Sequence, residues 1–255
     1  METAQQLARL AELETRFGEA LERAKLAAMA ELAAGAGHEI NNPLTVIIGR
    51  ARLLLETEAD LDRRQTLATI IVQATRVTEM IADLMLFARP PQPAVQTLDV
   101  AALVGRCVAE MAPQAAALGI AVEDASPAEP ILLSADPAQL QVALRAVLGN
   151  GVEAISNANR PGRIVCGVRR AAEMVEISVA DDGPGIAHHV REHLFDPFFA
   201  GRQAGRGLGM GLAKAWRIAA NHGGRLDAAS SPGQGAVFTF VLPAPPTNPT
   251  DGVHG

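Results

Sequence analysis

The stretch His38-Glu39-Ile40-Asn41-Asn42-Pro43-Leu44 carries the residues best suited to chemistry. Histidine is the side chain that can move a proton or accept a group near neutral pH. Glu39 beside it can hold the imidazole in one tautomer. Asn42 adds an amide one helical turn further on. What His38 does depends on whether the chain supplies a group for it to react with.

A second set lies in the C-terminal half. Asp181-Asp182-Gly183-Pro184-Gly185 directly follows a strand-like run. A carboxylate at a strand end can accept a hydrogen bond from an exocyclic amine such as that of adenine, and the glycines allow close approach. The same residues also read as an ordinary turn. Farther on, Gly205, Gly207, Gly209 and Gly211 alternate ahead of a helical run. Backbone N–H groups and a helix N-terminus there would cradle phosphate. The spacing is neither a P-loop, since no Gly-Lys-Ser/Thr follows, nor a Rossmann fingerprint. Phe195, Phe198 and Phe199 fit either plain core or the anchor of a mobile lid. Arg202 then meets a terminal phosphate or stays a solvated surface cation. The Asn150 amide oxygen suits either a Mg²⁺ ion bridging phosphates or an ordinary buried hydrogen bond.

The elements that must position these residues follow from periodicity. Residues 1–57 lack proline before Pro43 and read as helix. Leu7, Leu10, Phe17 and Leu21 suggest an amphipathic segment able to form a coiled coil. Ile40, Leu44, Ile47, Ala51 and Leu54 keep the 4-3-4-3 spacing of a bundle seam. At about 100° per residue His38 falls opposite that seam, with Asn42, Thr45 and Gly49 near it. Pro43 removes one helical hydrogen bond and predicts a bend, either functional or a static fit to the bundle. After a turn near Thr57–Asp60, Leu67, Ile70, Ala74, Val77, Ile81, Leu84 and Ala88 predict a second helix. Two helices alone bury too little, so a dimer forming a four-helix bundle is expected.

Arg89-Pro90-Pro91-Gln92-Pro93 reads as a stiff linker. Beyond it, helices are predicted over 99–117, 136–157 (Asp136 as cap, Pro137 in the first turn) and 208–222. Strands are predicted over 163–168, 175–180, 225–229 and 236–242. The expected architecture is α+β and multidomain: a helical-hairpin dimerisation domain plus an α/β sandwich. The segments are an N-terminal helix over 1–24, the hairpin over 25–90, a linker over 91–98, the sandwich over 99–243 and a disordered tail over 244–255.

Composition excludes other classes. The chain of 255 residues has a formal charge of −6, which argues against nucleic-acid binding. Its two cysteines, Cys107 and Cys166, form no CxxC and read as buried apolar thiols. No run reaches the ~20 apolar residues of a membrane span, and no signal peptide is evident, so a cytoplasmic location without membrane insertion is expected.

Taken in order, these pieces resemble the sensor histidine kinases of two-component systems over roughly residues 25–242. His38–Leu44 is similar to the H box, in wording close to nitrogen-regulator-type kinases. Leu144–Ala154 is similar to the N box, Asp181–Gly185 to the G1 box, Phe195–Phe199 to the F box and Gly207–Leu212 to the G2 box. Gly223-Gly224-Arg225, the Ser231–Gly235 turn and Phe238 extend the resemblance. It implies a Bergerat-type ATP-binding domain beside a dimerising phospho-acceptor hairpin. It further implies that His38 attacks the γ-phosphoryl group of ATP and that Glu39 orients the ring and takes its proton. Mg²⁺ held at Asn150 and the lid cation Arg202 would offset charge. Asp181 would read adenine, with Gly183, Gly185, Phe198, Gly207, Gly209 and Gly211 lining the nucleotide. The phosphoryl group would pass to an aspartate of a response regulator, and Asn42 would orient water for dephosphorylating that regulator. An upstream sensor protein or domain would supply the signal.

The sequence departs from the pattern at Ala146, where the N box usually carries asparagine and related ATPases carry a water-activating glutamate. Efficient ATP hydrolysis is therefore not expected, and transfer to His38 is. The lid between Phe199 and Gly207 is short. Two alternatives stand beside the kinase: a net phosphatase of the phospho-regulator, and a non-catalytic dimeric scaffold.

Overall fold

The computed structural model describes residues 2–199 and 209–245. The chain divides into two units, Met1–Pro91 and Gln92–Gly255.

The first unit is an αα-hairpin of α1 (Glu2–Thr57) and α2 (Leu61–Ala88). The Asp60 carboxylate caps α2 by accepting the Arg63 N–H at 2.9 Å. Arg64 Nη1 closes the turn by donating to the carbonyls of Leu55 and Glu58. α1 passes through Pro43 as a single helix. The Thr45 hydroxyl donates to the Asn41 carbonyl at 2.8 Å in that turn.

The predicted seam needs correction. Gly37, Asn41, Leu44, Ile48, Ala51 and Leu55 form the buried or half-buried stripe of α1. A β-carbon at Gly37 would meet Ile81 Cγ2 at 3.3 Å, so α1 and α2 come together right beside His38. Ile40, Ile47 and Leu54 remain 39%, 45% and 58% exposed, and Ile70 on α2 is 40% exposed. The reason is geometric. A stripe read as one seam in sequence is shared between two directions, and a lone hairpin satisfies one of them. Phe17 and Leu21 are exposed; the side chains of Leu7 and Leu10 lie outside those described.

The second unit is a two-layer α/β sandwich. Its mixed sheet has the order β2-β4-β5-β7-β6, from Ile120–Asp124, Gly162–Ala171, Met174–Asp181, Ala236–Pro243 and Arg225–Ser230. The β2–β4 pair is parallel and the rest are antiparallel. Helices α3 (Val100–Ala116), α4 (Pro137–Asn157) and α6 (Gly211–Asn221) form the other layer. Alternate strand residues face it: Ile164, Cys166 and Val168 on β4, Val175, Ile177 and Val179 on β5, and Phe238, Phe240 and Leu242 on β7 are all buried.

Four short elements escape the sequence reading. β1 (Gln96–Asp99) and β3 (Leu132–Ala135) pair antiparallel. β1 grows out of the segment read as linker. β2 is a parallel edge strand with mostly exposed residues, so it shows no clean alternation. α5 (His188–Arg191) is a single turn. Residues 246–255 of the expected tail lie outside the described residues, whereas Ala244 N–H donates to the Glu173 carbonyl at 2.9 Å.

Candidate functional site

Strand periodicity delivers the first site residue. Along β5 the core face runs Val175, Ile177, Val179 and then Asp181, which is itself only 8% exposed. The carboxylate at the end of that face lies under the helix layer. Gly151 of α4 sits over it: a β-carbon there would be 3.5 Å from Asp181 Cβ and 3.0 Å from Ile164 Cδ1. Asp181 Oδ1 accepts the Gly183 N–H at 2.9 Å, which fixes the carboxylate and starts the turn. Asp182 does something different. Its Oδ1 accepts the Arg163 N–H at 2.9 Å, and Arg160 donates to its carbonyl, so it ties the loop to β4.

The loop after Asp181 is held by the β6–β7 turn, whose positioning role the sequence reading missed. Ser230 Oγ accepts the Ile186 N–H at 2.8 Å and donates to the Gly235 carbonyl at 2.6 Å. The Gly233 N–H donates to the Pro184 carbonyl at 2.8 Å. Gly185 and Gly235 have φ of +72° and +74°. A β-carbon on Gly185 would overlap the Ser231 carbonyl, and one on Gly235 the Asp181 carbonyl. Both positions demand glycine. The available signal was Ser230-Ser231-Pro232-Gly233-Gln234-Gly235, a turn sequence between two strand-like runs.

α4 carries Asn150. Asp136 caps the helix, accepting from Ala138 and Gln139 N–H at 2.9 and 3.1 Å, and Pro137 opens it. Leu140, Ala143, Leu144, Val147, Leu148, Val152 and Ile155 bury the sheet-facing stripe. Ala146, Asn150 and Ala154 line a half-buried edge at i, i+4 and i+8. A β-carbon on Gly211 would lie 3.8 Å from Ala146 Cβ, and one on Gly183 would lie 3.5 Å from Ala154 Cβ. The Asn150 position thus falls between the start of α6 and the loop after Asp181. Ala146 offers only a methyl on this edge, and a methyl can neither take a proton from water nor ligate a metal.

At the start of α6, Met210 makes no capping side-chain hydrogen bond. The start of α6 thus has no side-chain cap from its own N-cap residue, the arrangement an anion would satisfy. Gly209, at φ +69°, lies against the backbone of Phe198 and Phe199. Phe198 has φ +63° and is 48% exposed. Phe199 stacks tilted on His193 at 5.4 Å between ring centroids, and His193 Nδ1 lies 2.8 Å from Asp196 Oδ2. Arg202 and Gly207 fall outside the described residues.

The structure therefore brings Asn150, Asp181, Gly183, Gly185, Gly209 and Gly211 to one end of the sandwich. No group of three or more His, Cys, Asp or Glu able to hold a metal occurs among the described residues. The hard amide oxygen of Asn150, with phosphate oxygens as the other ligands, fits Mg²⁺. In the hairpin, His38, Glu39, Asn42, Thr45 and Gly49 are all exposed. Asn41 Oδ1 is buried without a hydrogen-bond partner. The two thiols are buried away from this chemistry. Burial, then the nearby carboxylates, push Cys166 up to about 12 and raise Cys107 as well. No helix among the described residues is long and apolar enough to cross a membrane.

Comparison with known proteins gives the same division. Residues 28–93 match the His Kinase A (phospho-acceptor) domain. Residues 135–246 match the histidine kinase-, DNA gyrase B- and HSP90-like ATPase domain. The chain thus carries the two domains of a sensor histidine kinase. It is 35% identical to the sensor histidine kinase ZraS of Klebsiella oxytoca over 221 residues, covering 86% of this chain and 47% of that protein. It is 33% identical to the histidine-protein kinase AtoS of Escherichia coli K12, covering 87% of this chain and 36% of that protein. The chain spans less than half the length of either. The crystal structure of full-length ShkA in complex with AMPPNP superposes with a TM-score of 0.73 at 29% identity, over 84% of this chain and 46% of that one. The histidine kinase ThkA, solved in complex with the response regulator TrrA, shares the fold (TM-score 0.63, 21% identity, 92% of this chain and 67% of that one).

Proposed function

We propose that this chain is an ATP-dependent protein-histidine kinase with an H box of the nitrogen-regulator type. It phosphorylates His38 and passes the phosphoryl group to an aspartate of a response regulator. The observation that carries this reading is the convergence of Asn150, Asp181, the glycines and the uncapped start of α6 in one unit, with an exposed His38–Glu39 pair in the other. In the reaction a ring nitrogen of His38 bonds to the γ-phosphorus as the bond to the ADP oxygen breaks. Glu39 orients the imidazole and takes its proton. Asp181 accepts from the adenine amine, and the α6 N–H groups and Arg202 hold phosphate oxygens. A Mg²⁺ ion, when bound through Asn150, neutralises phosphate charge. The other ligands of this reading are Gly183, Gly185, Phe198, Gly207, Gly209 and Gly211. A second copy of the chain covers Ile40, Ile47, Leu54 and Ile70 in a four-helix bundle. The two partners are thus the homodimer mate and the receiver domain of the regulator.

The test separates the two units. His38→Gln abolishes labelling by γ-labelled ATP while ATP affinity stays within twofold. Undiminished label on that variant would refute the assignment.

A second reading is supported by Asn42, which is exposed one turn from His38. Dephosphorylation of the phospho-regulator is a second activity of the same face. Asn42→Ala removes it while labelling of His38 persists; unchanged dephosphorylation counts against it.

A further inference from the structure

Two helices frame the candidate nucleotide site, and their far ends are joined by one ring. His222 directly follows α6. The Asp136 backbone N–H donates to His222 Nε2 at 3.0 Å, so that nitrogen carries no proton. The proton is on Nδ1, which donates to the Ile218 carbonyl at 2.8 Å. The imidazole therefore bridges the cap of α4 and the last turn of α6. Asp136 is 8% exposed, and its carboxylate also accepts the Ala94 N–H at 2.9 Å. Burial pushes that carboxyl up, but the N–H groups of Ala94, Gln139 and Ala138 outweigh it and hold the group below its ordinary value.

The geometry of the pair matters for the site. Gly211, at the start of α6, lies against Ala146 of α4, while His222, at its end, lies against Asp136. The helices are antiparallel, close at the start of α6 and hydrogen-bonded at its end. A helix transmits a displacement along its axis, so slippage at His222 moves the α6 N–H groups relative to Asn150.

We propose that Asp136 and His222 are a positioning pair for ATP, fixing the start of α6 against the Asn150 edge of α4. This rests on the ATP-binding reading above. The test uses the full chain with His222→Leu and His222→Gln, the latter able to accept the Asp136 N–H through its amide oxygen. His222→Leu is expected to raise KM for ATP about tenfold, with kcat within twofold. His222→Gln restores KM to within about threefold of the starting protein. An unchanged KM in His222→Leu overturns the proposal. So does an equal rise in KM for both variants with equal loss of Tm, which would mark His222 as a support of the fold alone. Failure of the unaltered chain to bind ATP would instead refute the reading on which the proposal rests.

Discussion

The two halves of the molecule treat apolar surface in opposite ways. The sandwich buries Val100, Leu133, Leu140, Ile164, Ile177, Phe238 and Phe240 almost completely within one chain. The hairpin leaves Ile40, Val46, Ile47, Leu53 and Leu54 of α1 exposed. Their chemistry differs in the same way. Asp181 is buried and fixed by glycines that admit no side chain, whereas His38 and Glu39 stand in solvent on a helix face. Binding a nucleotide requires a preorganised pocket. A phospho-acceptor must instead remain reachable by more than one partner. The sandwich closes its core within one chain, whereas the hairpin leaves an apolar stripe open.

This contrast can be broken at the sandwich first. Gly235→Ala places a methyl against the Asp181 carbonyl at a left-handed φ, so about 4 kcal/mol of sandwich stability is expected to disappear. Denaturant unfolding should show that loss, with ATP binding abolished and the helical hairpin retained. An alanine variant of unchanged stability would mean that the β6–β7 turn does not hold the loop after Asp181.

A change on the hairpin should act on assembly instead. Ile47→Asp puts a charge into the exposed stripe and is expected to weaken the dimer about a hundredfold, or near 3 kcal/mol. Sedimentation would detect it. The affinity of the sandwich for ATP should not change. A stable dimer in that variant would move the interface elsewhere.

The smallest effect concerns the α4 cap. The Asp136 carboxyl is held below its ordinary value of 3.8. Its contribution is therefore complete above that value and is lost as pH falls through the lowered native one. Asp136→Ala should cost about 1–2 kcal/mol at neutral pH. The gap from the unaltered protein should close in acid, as followed by thermal unfolding. A gap independent of pH would mean that the carboxylate charge does not support the cap.

Much of this was legible in the sequence where a local rule and the tertiary context agree. The Asp136 cap, Pro137 and a run of buried aliphatics gave α4 within a residue. The alternation Val175, Ile177, Val179 ran straight into Asp181. Legibility failed where a residue's role depends on a distant partner. Ser230 is an ordinary serine until its hydroxyl meets Ile186 and Gly235. His222 gains meaning from Asp136, 86 positions away. The α1 seam failed for a related reason: a 4-3 pattern says which residues are apolar, but not how they divide between one neighbour and another.

On the proposed function, a phosphoryl group from ATP ends on His38. Incubation of the chain with γ-labelled ATP and Mg²⁺, followed by acid and alkali treatment and peptide mapping, tests it most directly. The expected result is an acid-labile, alkali-stable label confined to the peptide that contains His38. A label on a serine, threonine or aspartate, or none on a chain that binds ATP, would contradict it.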